Sequence, residues 1–305
     1  MDNLPYGVEH MPVGNDRNLA WRAECGGIDE SSHCVMHVFV PAAAQYPCQI
    51  LLTDYQCPVC VERANVEVHL AAHAYACVLD RRMFSAQRTV ESSVVYRLAP
   101  SAQLNVKHQV AGSSHAQRSV SVQLIAQQEA TIDYTLVICG GGDVTATVEL
   151  TLSGKASQAM FRLVTVPRHA DTITIDTKQC HTEAATTSTL QVRGLVKDAA
   201  RVHCTGLVRL EATAIGADAS QKSTFLLEGS TAQAYARPVL EALTHQVRCA
   251  HGSAVGQLDQ EQLTYLQMRG LSANSARMVL VYAFLSDGLD DEMAGVVHQA
   301  LGIDT

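Results

Sequence analysis

The chain has 305 residues, 47% of them apolar and 17% charged, too apolar for a disordered segment and long enough for about two ordinary domains. Twenty-two Lys and Arg stand against 30 Asp and Glu, a formal net charge of −8; this lacks the basic footprint that phosphate backbones require and excludes nucleic acid as the expected partner. No apolar run approaches the ~20 residues of a membrane-spanning helix, so no membrane partner is expected either.

The chain opens Met1–Asp2–Asn3 rather than with a basic segment and an apolar one, which predicts a cytoplasmic protein. Its ten cysteines are then reduced, serving as packing residues or as ligands rather than as a disulfide framework. Pro5, Gly7, Pro12 and Gly14 suit an extended arm, and Val35–Met36–His37–Val38–Phe39–Val40 suits a first strand, together filling residues 1–45.

Next come Cys57–Pro58–Val59–Cys60, His69 and His73, a set of residue types that suits zinc. The stretch from His69 to Cys77 also reads as strand. That would hold the two imidazoles ~13 Å apart, too far for one tetrahedral ion. A self-contained zinc-binding structural protein using these four residues is therefore an alternative reading, with structural or redox-sensitive thiols as the plainer one.

From about Val90 to Ala234 short bursts alternate apolar and polar residues, as in Val120–Val122–Leu124, Val144–Leu150, Ile173–Thr174–Ile175, Leu190–Gln191–Val192 and Leu207–Leu210. Period two with β-branched enrichment means strands. Small-residue openings near Ala130, Asp143, Ala156, Ala170, Ala185, Ala199, Gly216 and Thr231 recur roughly every 12–19 residues, mostly close to 14. With two such segments per coil, the predicted fold is mainly β, a parallel β-helix over 46–236 whose coils pair with one another. A Greek-key sandwich is the competing architecture.

Residues 237–305 are predicted as a C-terminal helical domain, its helices beginning near 257. Asp259 and Ser272 are N-cap candidates, Gly270 and Gly288 are stops, and Asp290, Asp291 and Glu292 suit the start of a third helix. Met278, Val281, Tyr282 and Leu285 form one stripe, and Met293, Val296, Val297, Ala300 and Leu301 another. Three short helices leave apolar surface to spare, which suits a docking partner.

Gly140–Gly141–Gly142 runs into Asp143 and lacks the lysine of a phosphate loop, so this chain is expected neither to bind nor to hydrolyse a nucleotide. Cys180 and His181 are adjacent and, on a strand, point to opposite faces. Cys249 and His251 are two apart and share a face, a thiol and an imidazole suited to iron, copper or zinc.

The stretch from Cys249–Ala250–His251–Gly252 through Asp259, Tyr265–Leu266 and Arg269–Gly270 closely resembles the C-x-H-G…G-x-L-D…Y-L-x-x-R-G signature of the SufB/SufD family of SUF iron–sulfur cluster assembly proteins. Val192–Ala200, Leu226–Gly229 and Ala234–Glu241 resemble further segments of that family. The resemblance implies a right-handed parallel β-helix with a helical domain that docks a SufC-type ATPase. That contact would involve Gln257, Asp259, Tyr265, Arg269, Gly270, Arg277 and Tyr282. It implies a scaffold rather than an enzyme, building a transient Fe–S cluster or holding iron at a subunit interface. There His251 would act as ligand or base, Cys249 as auxiliary thiol, and Cys204 and Cys180 as possible further thiols.

Histidine at 251 and Ser223 where SufB-like chains carry cysteine make the chain SufD-like, a partner for a SufB-like subunit. A homodimer replacing SufB is the alternative. The chain is short for the family, which implies that most of the family's N-terminal helical region is missing. These residues leave any role for flavin open.

Overall fold

The computed structural model describes residues 8–9, 22–26, 33–42, 48–53, 63–84, 90–112 and 117–303. Strands account for 59% of it and wind into a parallel solenoid of about seven turns. One wall, sheet A, contains β1 (Val8–Glu9), β4 (Cys48–Thr53), β6 (Tyr75–Phe84), β8 (Gln103–Gly112), β10 (Thr131–Cys139), β12 (Gln158–Val166), β14 (Thr187–Lys197), β16 (Asp218–Glu228) and β18 (Arg248–Gly256) in that order. The other, sheet B, runs β2 (Arg22–Gly26), β3 (His33–Val40), β5 (Arg63–Leu70), β7 (Val90–Leu98), β9 (Gln117–Ala126), β11 (Asp143–Leu152), β13 (Thr172–His181), β15 (Arg201–Leu210) and β17 (Gln233–Ala242). Among the described residues every pairing is parallel except β1–β4 and β2–β3 at the first end. Alternate strands fall in alternate sheets, so the chain is a solenoid and not the antiparallel Greek-key sandwich.

Thr131, Gln158, Thr187, Asp218 and Arg248 are register partners in succession. A coil is therefore 27 residues (Thr131 to Gln158) to 31 (Thr187 to Asp218) along this sheet and 26 (Gln117 to Asp143) to 32 (Arg201 to Gln233) along sheet B, two strands each, which accounts for the sequence spacing near 14. Alternation sends Val120, Val122 and Leu124 inward from β9, and Val144, Ala146, Val148 and Leu150 inward from β11, all buried.

The turn from sheet B to sheet A repeats in each coil from β5–β6 to β15–β16. Its second residue is left-handed each time: His73 (φ 61), Ser101 (φ 58), Glu129 (φ 57), Ala156 (φ 59), Ala185 (φ 58) and Gly216 (φ 74). Each donates its backbone N–H to the carbonyl just before the corresponding residue one coil on, as from Ser101 to Gln128 at 2.8 Å and from Glu129 to Lys155 at 2.9 Å. The next position in each turn is small and buried: Ala74, Ala102, Ala130, Ser157, Thr186 and Ala217. Two walls this close leave no room for aromatics at the corner, which is one reason only 5% of the chain is aromatic.

Parallel pairing continues past residue 236 to Gly256, and the helices begin after it, near the 257 read from the sequence. The helices are α1 (Gln260–Met268), α2 (Ala273–Ser286) and α3 (Asp291–Ala300). Asp259 caps α1, Ser272 caps α2 and Asp290 caps α3 through side-chain oxygens that accept backbone N–H groups. Val281, Leu285, Met293 and Val297 bury against Ala111, Val137, Val164, Val166 and Leu195 on the outer face of sheet A.

Charged contacts ring that seam. Lys107 reaches Asp290 (2.7 Å) and Glu292 (2.8 Å), Arg193 pairs with Asp287 and donates to the Phe284 carbonyl, and Arg277 makes a two-pronged pair with Glu228. Among the described residues no helix is long and apolar enough to cross a membrane.

Candidate functional site

The last coil is open. Among the described residues β17 and β18 are the terminal strands of the two sheets, each paired on one side only. Residues that would be covered by a further coil are exposed, including Tyr235 (57%), Leu240 (39%) and Val255 (43%). Unpaired backbone along two adjacent strand edges, beside apolar side chains, is a template for another chain.

Cys249 and His251 stand on this edge. Cys249 is the register partner of buried Ala219 and packs against Val208, Leu210, Ala214 and Ala217, so its side continues the inner wall. Burial, then the Asp218 carboxylate, pushes its thiol pKa up. His251, two residues on, shares that face and is exposed; its register partner is Gln221. Gln221 is buried beneath it, its Oε1 without a hydrogen-bond partner among the described residues, in space that Gly206 leaves: a Cβ there would meet Gln221 Nε2 at 1.8 Å.

One step along the same inner wall, Ser223 Oγ lies 3.8 Å from Cys204 Sγ. Burial pushes the Cys204 thiol up to about 11 despite that contact. It is therefore protonated, and a poor ligand as it stands.

Cys180 and His181 do point apart. Cys180 lies on the outer face of sheet B between register partners Thr151 and Arg209. His181 is fully buried, its Nδ1 bonded to Thr186 Oγ1 (2.8 Å) and its Nε2 to Ser188 Oγ (2.7 Å). Burial lowers its pKa to about 4. Cys180 thus faces outside, Cys204 inside and Cys249 the open end. Among the described residues no set of three ligand atoms gathers around His251.

In the helical segment, Gln257, Asp259, Tyr265, Arg269 and Gly270 are all exposed, and α1 buries none of its residues. The Arg269 guanidinium lies 5.2 Å over the Tyr265 ring, and Met268 beside them is 83% exposed. Arg277 and Tyr282 are engaged internally instead, Arg277 with Glu228 and Tyr282 edge-on to His298.

Cys57 and Cys60 lie outside the described residues. His69 sits on the outer face of β5 with Glu67 and His37, while His73 is an exposed corner residue and no part of that group. The coil length is the signal that groups residues from neighbouring strands, Gln221 with His251 and His37 with Glu67. Motif spacing within one strand does not contain it.

Residues 56–284 match the family model described as "SUF system FeS cluster assembly, SufBD core domain". The chain belongs to the SufBD family. Within it the chain is SufD-like. It is 28% identical over 181 residues to "Iron-sulfur cluster assembly protein SufD" of Escherichia coli K12, covering 58% of this chain and 42% of that protein. The SufD of Bacillus subtilis is 27% identical over 177 residues, 58% of this chain and 40% of its own. The SufB of the same organism is 22% identical over 166 residues, 54% and 36%. The matches thus span less than half the length of these curated relatives. The SufBD core match runs from ahead of β5 into α2, so it takes in the open edge, Cys249, His251 and α1.

Proposed function

We propose that this chain is a scaffold subunit of SUF iron–sulfur cluster assembly that pairs through its open last coil with a SufB-type subunit and presents His251 to a nascent cluster, or to iron, at the junction. The open edge carries this reading: β17 and β18 are unpaired along one side and His251 is exposed there. Cys249 and His251 are two donors, too few to close a tetrahedral site, so the remaining ligands would come from across the edge. A neutral imidazole suits iron, and Cys249 behind it serves as auxiliary thiol. Serine at 223 and the protonated Cys204 favour sulfur delivery through the partner's thiolate. Cys180, on another face, takes no part.

The exposed face of α1, with Tyr265, Met268 and Arg269, is the dock for a SufC-type ATPase, which supplies the nucleotide chemistry. The chain is then a cytoplasmic scaffold and not an enzyme in isolation. Coexpression with SufB-type and SufC-type subunits tests both halves. His251→Ala should leave the complex intact on size exclusion while lowering its iron and sulfide content. Unchanged content would reduce His251 to a surface residue. Tyr265→Asp with Met268→Asp should abolish retention of the ATPase, and undiminished retention would remove α1 as its dock.

A further inference from the structure

A second group of metal-ligating side chains lies at the opposite end of the solenoid, on the outer face of sheet B. His37 on β3 and Glu67 on β5 are register partners, and adjacent strands ~4.8 Å apart set their side chains next to each other. His69 is two residues beyond Glu67, so period two returns it to the same face. One carboxylate oxygen, Glu67 Oε2, lies 3.5 Å from His37 Nδ1 and 3.2 Å from His69 Nε2. One donor atom from each of the three residues falls within 4.8 Å of the other two.

We propose that His37, Glu67 and His69 bind a divalent transition-metal ion of the zinc or iron(II) type. Bonds of ~2.0–2.1 Å to nitrogen and oxygen give donor–donor edges of about 3.3 Å in a tetrahedron; the two separations from Glu67 Oε2 bracket that value, and the two imidazoles lie within 4.8 Å of each other. Two imidazoles and one carboxylate are the ligand set that zinc and non-haem iron(II) both accept. The side chains are 49%, 33% and 38% exposed, so the remaining coordination positions face water and the ion has a route in. Of the neighbours on this face, Phe39 and Arg97 are the register partners of His69 on either side, and both side chains are exposed. The bound ion would join β3 to β5, reinforcing the first coils through side chains as well as backbone. The site is independent of the open edge at His251.

The test is zinc titration of the metal-stripped full chain against a chromophoric chelator, in a Cys57→Ser/Cys60→Ser background that removes the Cys-x-x-Cys thiols. One equivalent of zinc should bind. His37→Ala, Glu67→Gln and His69→Ala should each weaken it by more than ~100-fold, beyond the ~10–100-fold that losing an outer partner costs. His73→Ala and His251→Ala should leave it unchanged. Glu67→Gln keeps shape and volume, so its loss of binding is not a folding defect, and far-ultraviolet circular dichroism checks the other two. Cobalt(II) in place of zinc should show visible ligand-field bands without thiolate charge transfer. Absence of binding, binding that survives all three substitutions, or a cobalt spectrum dominated by thiolate would overturn the proposal.

Discussion

Cys204 Sγ and Ser223 Oγ face each other at 3.8 Å across the inside of the last closed coils, one from each sheet. Desolvation holds the thiol at about 11, and Cys139, buried under the helices, at about 12. Cys204 and Cys139 should therefore resist iodoacetamide in the native protein, whereas the half-exposed Cys249 and Cys180 react. Peptide mass spectrometry against time reads this directly, and native labelling of Cys204 as fast as Cys249 would contradict it. The same shifts make the fold alkali-sensitive. A thiol protonated more tightly when folded contributes stability that is complete below the unfolded value of 9.0 and declines as pH rises toward 11–12. The urea midpoint should fall above pH 9, and less steeply in Cys204→Ala.

His181 gives the opposite dependence. Burial among Thr186 and Ser188, partly countered by Asp218, lowers its pKa from 6.5 to about 4. A base harder to protonate when folded contributes stability above 6.5 that is lost as pH falls toward 4, on the order of 3 kcal/mol across that window. His181→Gln should be less stable than the parent at pH 7, and the gap should close as pH approaches 4. A gap that stays constant would show that the ring does not charge on unfolding.

The seam between the helices and sheet A rests on few large side chains. Leu285 is fully buried there, and Leu285→Ala should cost ~2–5 kcal/mol. Hydrogen exchange should show α2 and α3 losing protection while β9–β13 keep theirs. Uniform loss along the chain would mean that helices and solenoid unfold as one unit.

Gly154 and Gly216 separate two reasons for glycine. A Cβ at 154 would meet the backbone nitrogen of Gln128 at 1.9 Å, and backbone cannot swing aside. Gly154→Ala should cost about 3 kcal/mol through forced separation of two coils. Gly216 has φ +74 with nothing within 4 Å of a Cβ, so Gly216→Ala should cost only the ~1–2 kcal/mol of a left-handed alanine. Thermal melts of the two variants should rank in that order.

The middle of the solenoid was legible because each strand obeys two rules at once: alternation between faces, seen at Val120–Val122–Leu124, and a regular return, seen at Ala130, Ala156 and Ala185. The helix caps Asp259 and Ser272 were legible because capping is local. β17 and β18 were not, since no further coil covers them and their sequences no longer need an apolar inner face; Ser253 and Gly256 keep no pattern. For the site, the shared face of Cys249 and His251 follows from period two. Gln221 beneath His251, and His37 beside Glu67, depend on coil length, which varies between 26 and 32 residues and is known only once the register is. His73 lies at the corner with φ 61, past the end of the strand that carries His69.

The left-handed corners make the molecule a ruler with discrete marks. Since each corner from Ser101 to Ala185 meets a like corner above and below, removing the residues from one to the next, 129 to 156 for instance, would rejoin two ends of the same shape. Chains built this way change length in whole steps of ~4.8 Å. The distance from the His69 face at one end to the His251 edge at the other is therefore fixed by an integer, and insertions that are not a full step would be expelled as surface bulges.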